Sequence, residues 1–334
     1  MAGFRFQDEG AHPPAPDDPI WQESQIFIWW DDTSGVGGLH RVGHLPNQGR
    51  ANLWSGLITA DGTRYLADRH DLALHDSDRT DRGLSSGGQR MRAGDERTGT
   101  IEFVDDRTDG AELHLRYEDF YPMCEVWEHG TGGQVEADMA AAHFETSGRV
   151  TGSVRIGERT VEVNGTFHRD HSWGPRDWEH LTGHRWVVGT AGREFSFSSA
   201  VMLGTADVVS GGYVIRDGER FQATDVDIVI GIEPDNVTAR NATVTWTLTT
   251  GESVTIDCEP VDGWMFGHGN YLESDQLARF RVRGEDVHGW CDVEVSMNHR
   301  LHNQPVRLAL GAALEQGLSR ARRRIGLFEK LAAR

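Results

Sequence analysis

The stretch Arg169-Asp170-His171-Ser172-Trp173-Gly174-Pro175-Arg176-Asp177-Trp178 holds two Asp, one His, two Arg and two Trp. It follows Val161, Val163, Gly165 and Phe167, which share one face of a β-strand because successive strand side chains point to opposite sides. The same alternation sends His168 and Asp170 one way and Arg169 and His171 the other. Buried charges cost several kcal/mol each unless paired or neutralised. A cluster this dense at the end of an apolar strand therefore belongs at a cleft, where its members do chemistry or hold one another.

Working outward, the pattern stays β. Ala111, Leu113, Leu115 and Tyr117 alternate with Glu112, His114, Arg116 and Glu118, which predicts a strand with one wet face. Val150, Val154 and Ile156 precede a turn at Gly157-Glu158. Further strands are expected over 185–190, 194–202, 212–216, 226–232, 243–249, 253–258, 278–283 and 288–296. Thr250-Gly251-Glu252 between two of them is a hairpin signal. Forty glycines against 10 prolines fit a turn-dense β protein. Two segments read as helical: a short one around 134–142, and one from about Pro305 to Arg334. The second is amphipathic and basic, with Arg307, Arg320, Arg322, Arg323, Arg324, Lys330 and Arg334 against Glu315 and Glu329. It packs on the acidic body or meets a membrane surface or partner. The expected fold class is all-β: two consecutive antiparallel barrel or sandwich domains with a C-terminal α-helix. The expected boundaries are a flexible N-terminus over 1–19, β domains over 20–176 and 177–303, and the helix over 304–334.

A net charge of -19 argues against a nucleic-acid partner, which needs a concentrated basic face. Cys124, Cys258 and Cys291 are too scattered for a disulfide framework or a zinc motif. No apolar run approaches the ~18 residues of a membrane-spanning helix, and the polar start lacks a signal-peptide core. A cytoplasmic location is expected, so the sequons at Asn236 and Asn241 carry no weight. No serine sits in a nucleophile elbow, no cysteine has a neighbouring histidine, and no glycine-rich phosphate loop precedes a helix.

Asp170-His171-Ser172-Trp173-Gly174 resembles the Asp-His-Asn-Trp-Gly signature of the carotenoid 1,2-hydratase and AttH-like proteins, with Ser172 in place of Asn. Gly37-Gly38-Leu39-His40-Arg41-Val42-Gly43, with Pro46-Asn47 and Trp54, is similar to the N-terminal half of such proteins. The resemblance runs from about Trp21 to Asn298. It implies two lipocalin-like β domains, a scaffold shared with fungal Diels–Alderases, and an activity among isoprenoid hydration and pericyclic reactions.

Hydrating an unactivated alkene needs a strong proton donor, a placed water and a way to steady the cation. A carboxylic acid in an apolar cavity stays protonated at neutral pH, and aromatic faces stabilise cations. The resulting expectation is a cofactor-independent hydro-lyase, with no metal. It adds or removes water at a C=C bond of an isoprenoid-like or polycyclic apolar substrate in a cavity at the domain interface. Asp170 is the expected general acid and His171 its partner. Trp173, Trp178, Trp29, Trp54, Tyr271 and Glu273 are the expected substrate-binding residues, and Glu273 is the best second carboxylate. Trp29 and Trp30 are adjacent, so one of them needs a cover from the other domain or a ligand. Other readings stay open: a pericyclase or isomerase on the same scaffold, a carrier of an apolar ligand, an Asp-His pair that only pins strand to loop, and a metal held among His168, Asp170, His171, His180 and His184.

Overall fold

The computed structural model describes residues 4–126, 139–178, 181–204, 208–235, 237–268 and 270–298. Two β units follow one another. The first opens with the long antiparallel strands β1 (Trp21–Asp31), β2 (Val36–Leu45), β3 (Arg50–Thr59) and β4 (Arg64–Ala73). The short strands β5 (Arg79–Thr80), β6 (Gly83–Ser86) and β7 (Gln89–Ala93) come next. It is completed by β8 (Thr98–Val104), β9 (Ala111–Asp119), β10 (Cys124–Glu125), β11 (Ala142–Ile156) and β12 (Arg159–Pro175). These form one curled sheet in the order β4-β3-β2-β1-β12-β11-β9-β8-β7-β6-β5, with β10 on β11. The second unit is a closed eight-stranded barrel: β13 (Leu181–Thr190), β14 (Phe195–Gly204), β15 (Val208–Arg216), β16 (Glu219–Ile232), β17 (Ala239–Leu248), β18 (Ser253–His268), β19 (Tyr271–Val282) and β20 (His288–Asn298). Each strand pairs with the next, and β20 closes on β13.

The eight runs expected in the second half fall on these eight strands, most of them extended at one end. Gly251 turns the β17–β18 hairpin at φ 85. The helix expected over 304–334 lies outside the described residues. So does most of the one around 134–142, whose last residue, Ala142, begins β11. Among the described residues no helix is long and apolar enough to cross a membrane.

Eight strands leave an interior just wide enough for side chains. Here it is filled by Phe195, Phe197, Trp246 and Phe280, among others, and Trp246 donates its indole N–H to the Ser198 carbonyl at 2.9 Å. The curled sheet wraps a second core of Phe27, Trp29, Leu53, Tyr65, Phe103 and Phe167. The two units meet by their outer faces, where Ile28, Trp30, Leu39 and Trp54 of the sheet pack on Trp186, Val188, Trp264, Phe266, Leu277 and Trp290 of the barrel. Trp30 stacks on Trp290 at 4.1 Å and Trp54 on Phe266 at 4.6 Å between ring centroids. The Trp29-Trp30 pair is thereby resolved. Trp29 enters the sheet's own core and donates to His40 Nε2 at 3.1 Å, while Trp30 is covered by the barrel. The close approach needs Gly56, where a Cβ would stand 2.6 Å from the Trp264 indole.

Residues 4–19 depart from the flexible lead-in expected for them. A single 3-10 turn (Phe6–Glu9) seats Glu9, 2% exposed, against Arg169. The Arg169 guanidinium donates to both Glu9 oxygens at 2.7 and 2.9 Å and to both Asp119 oxygens at 2.6 and 3.0 Å. The Asn47 amide ties down the carbonyls of Ala15 and Asp18. One arginine facing two buried carboxylates holds the strap, because either carboxylate alone would be an uncompensated buried charge. Arg169→Met is expected to lower unfolding free energy by about 3–5 kcal/mol in urea titration, and to open the segment before Trp21 to proteolysis.

Candidate functional site

A cavity open to solvent lies between the outer face of the sheet and the outer wall of the barrel. Strand register builds it. Trp54 on β3, Arg41 on β2, Ile26 on β1 and Asp170 on β12 are successive cross-strand partners, so they form one row on the face that meets the barrel. Glu145 on β11 continues that row, and His143 lies two residues further along the same face. The barrel answers with His184 and Trp186 on β13, Glu273 on β19 and Glu294 on β20. Arg176 and Trp178 enter from the segment linking the two units.

The charges are paired across these rows. Asp170 Oδ1 accepts the Ile26 N–H at 2.9 Å, and Oδ2 stands 2.9 Å from His143 Nε2 in an ion-pair contact whose ring N–H is not aimed along it. His143 Nε2 is also 3.3 Å from Glu145 Oε1. Burial alone would depress His143, but the contact with Asp170 and the charge of Glu145 outweigh it and raise its pKa. His184, whose Nε2 meets Glu294 Oε1, is raised against its burial in the same way. Glu145 is lowered although burial opposes it, because His168 and His143 face it. It also accepts the Trp186 indole N–H at 2.9 Å, a hydrogen bond between the two units. Glu273 is pushed up to about 7, by burial first and by the negative charge of Glu294 second.

The structure brings Asp170, Trp54, Trp178 and Glu273 into the cavity and leaves four expected residues out. His171 points to the opposite face of β12, where it is fully buried and its Nε2 lies 3.2 Å from Glu23 Oε1. Trp173 shares that face and stacks on His12 at 3.5 Å. Trp29 is in the sheet's core. Tyr271 packs behind Trp178 at 5.0 Å with its hydroxyl on the Leu181 carbonyl. The partner of Asp170 is therefore His143, not His171, because strand alternation forbids neighbours from sharing a face. The same rule separates His171 from His168 and Asp170 as ligands of one metal, and His180 lies outside the described residues.

His143, Arg41 and Glu294 carried no role in the sequence reading. Asp292 and Glu294 alternating with Val293 and Val295 was a usable signal: a strand whose second face is acidic rather than mixed.

Three groups among the described residues bring three ligand-type atoms within 4.8 Å of one another: His12-Glu23-His171, His184-Glu273-Glu294 and Asp275-Asp292-Glu294. In the first, Arg79 already meets Glu23 at 3.0 Å, and together with His12 and His171 it offsets burial to bring Glu23 down to about 2. In the second, His184 neutralises Glu294 and the arginines Arg41 and Arg176 face Glu273. In the third, Glu294 again has His184, but Asp275 and Asp292 have no basic partner among the described residues. Asp292 lacks a well-formed hydrogen bond to either oxygen, leaning only on the Val293 amide and the Asp275 carboxyl. Asp275 and Asp292 are held well above the carboxylate range, by burial first and neighbouring carboxylates second. Protons supply the neutralisation there.

The sequence profile of a family described as Domain of unknown function (DUF7064) matches residues 5–299, so the chain belongs to that family. None of the curated proteins matches the sequence. Solved structures with the same fold include a protein of Nitrosomonas europaea assigned as AttH, 14% identical, covering 86% of this chain and 94% of its own at a TM-score of 0.65. Kievitone hydratase of Nectria haematococca is 8% identical over 89% of this chain and 94% of its own, with a TM-score of 0.61. CghA, solved with Sch210972, is 13% identical over 87% and 95%, with a TM-score of 0.59. At these identities the likeness is one of fold.

A carboxyl whose folded pKa is raised favours the folded state at low pH, and that contribution is lost as pH rises through the folded value. Asp292→Asn is a neutral isostere and escapes this loss. Its melting temperature is expected above that of the native protein at neutral and alkaline pH, with the difference closing near pH ~4, where an unfolded Asp itself takes up a proton.

Proposed function

We propose that this DUF7064 protein is a hydratase or dehydratase built on two lipocalin-like β units, acting on a C=C bond of an isoprenoid-like or polycyclic substrate held between them. Trp54, Trp178 and Trp186 cover the hydrocarbon part of that substrate. The observation that carries the reading is Glu273, a carboxyl inside the cavity whose pKa of about 7 leaves it protonated up to neutrality. Such an acid can give a proton to carbon, as other buried carboxyls do in general acid catalysis. Its conjugate base then takes the proton of the water that attacks, so the C=C π bond and one O–H of water are broken, one C–H and one C–O bond form, and Glu273 ends as it began.

Asp170, the acid suggested by the sequence, suits a different part. Its Oδ1 accepts the Ile26 amide and its Oδ2 is in ion-pair contact with His143, so it balances the charge of His143 rather than donating. His143, whose pKa is raised by Asp170 and Glu145 against its burial, offers a hydrogen bond to a substrate oxygen or to the attacking water. The fold shared with a protein named a hydratase supports the reaction class. The filled barrel supports the choice of the interface, rather than the barrel interior, as the place where substrate binds.

The test is incubation with a panel of prenylated phenols and polyprenyl hydrocarbons in oxygen-labelled water, with product followed by mass spectrometry. On the substrate found, Glu273→Gln is expected to lose about 10²–10⁴ of turnover, the usual worth of one acid–base group. The rate of the native enzyme is expected to fall as pH rises through 7, because the proton-donating form disappears. Full turnover by Glu273→Gln would remove the assignment, and a flat pH profile would favour a pericyclase or isomerase.

A further inference from the structure

Arg41 on β2 and Arg176 in the segment linking the units both line the cavity, and neither is in an ion pair with a carboxylate among the described residues. Arg41, 4% exposed, gives one N–H to the Asn52 side-chain oxygen at 2.5 Å. Arg176 gives one to the Ser172 hydroxyl at 2.5 Å, and its buried Nε has no hydrogen-bond partner. Each guanidinium also lies over a wall of the cavity, Arg41 at 4.6 Å from the Trp54 ring centroid and Arg176 at 6.0 Å from that of Trp178. Structural arginines in a core are normally matched by carboxylates, as Arg169 is by Glu9 and Asp119.

The charges that face the pair do not cancel it. Asp170 is met by His143, and Glu294 by His184. Asp68 on β4 stands 2.7 Å from His70. Glu273 carries a proton below neutrality. The two guanidinium groups therefore lack an ion-paired carboxylate among the described residues, repel each other and are disfavoured by burial. Both pKa values are lowered by desolvation, that of Arg176 to about 10 with repulsion from Arg41 adding to it. An anion that accepted their N–H groups would relieve both costs.

We infer that Arg41 and Arg176 form an anion-binding subsite and that the natural ligand is amphipathic: a hydrocarbon or aromatic body against the tryptophans, and a carboxylate, enolate or phenolate oxygen between the two guanidinium groups. This rests on the reading of the cavity as the substrate site and narrows the substrate from a pure hydrocarbon to an acidic one. It does not depend on Glu273 being the catalytic acid.

The probes that test it are anilinonaphthalene sulfonate and its uncharged counterpart N-phenylnaphthylamine, which share one aromatic skeleton and differ in the acidic group. Fluorescence titration at pH 6 is expected to show the sulfonate binding about tenfold to a hundredfold tighter than the neutral dye, the range of charge-assisted hydrogen bonds. Arg176→Met and Arg41→Met are expected to erase that preference while leaving the affinity for the neutral dye unchanged, which also shows that the cavity is intact. If a methionine variant fails to fold, Arg176→Gln replaces it and Arg176→Lys is expected to keep the preference. In the native protein the preference is expected to shrink as pH rises through 7, when Glu273 ionises and offsets the pair. In Glu273→Gln it is expected to persist. Equal affinity for the two dyes, or a preference for the sulfonate that survives Arg41→Met and Arg176→Met, would overturn the proposal. Loss of turnover in Glu273→Gln, or its absence, bears only on the acid assignment.

Discussion

From Phe167 to Ser172, strand β12 is buried on both faces, and the rest of the molecule is arranged around that constraint. Its odd-numbered residues, Phe167, Arg169, His171 and Trp173, serve the curled sheet and the strap that closes it. Its even-numbered residues face the barrel, His168 edge-on to Trp186 and Asp170 and Ser172 in the cavity wall. A strand in this position cannot leave polar groups to solvent on either side, so every charge on it must be met by another charge. Arg169 is met by Glu9 and Asp119 on one side, Asp170 by His143 on the other. The chemistry-bearing cluster is thus two networks placed back to back, one structural and one lining the cavity.

The second consequence is where space is left. Both units spend their large aromatics on their own interiors, the barrel through Trp246, Phe197 and Phe280 and the sheet through Trp29, Tyr65 and Phe103. Five further tryptophans, Trp30, Trp54, Trp186, Trp264 and Trp290, stand between the units. Two outer sheet faces, each twisted, do not match along their whole length. Where they part, the gap is lined by the polar ends of the same strands, so an apolar wall and a charged wall meet in one cavity. Low local dielectric strengthens every interaction there, which is why a carboxyl such as Glu273 holds its proton to neutrality and why unmatched guanidinium groups are costly.

Much of this was legible. The alternation in 111–117, the hairpin at Thr250-Gly251-Glu252 and the eight runs of the second half are period-two patterns whose apolar members lie mostly in the cores or between the units, with Val229 exposed. The adjacent pair Trp29-Trp30 required a cover for one member, and the barrel provides it through Trp290. Asp170, Trp54, Trp178 and Glu273 were picked from residue type and local pattern, and all four line the cavity. His171 and Trp173 were picked because they adjoin Asp170 in sequence, and on a strand that adjacency means the opposite face. The strap over 4–19 was missed because its polar, proline-rich composition is that of a solvated segment, and only the buried Glu9–Arg169 pair distinguishes it.

Local pattern by itself determined the β class, the strand positions and the two-faced character of β12, because these follow from side-chain alternation along a single strand. Which residues share the site was decided only by tertiary structure. Trp54, Arg41, Ile26 and Asp170 become neighbours through the register of four strands, and Glu273 and Glu294 join them through the docking of a second unit. Their charge balance depends on those long-range distances. A sequence lists the ionisable groups, but the partners that fix each proton are chosen by packing.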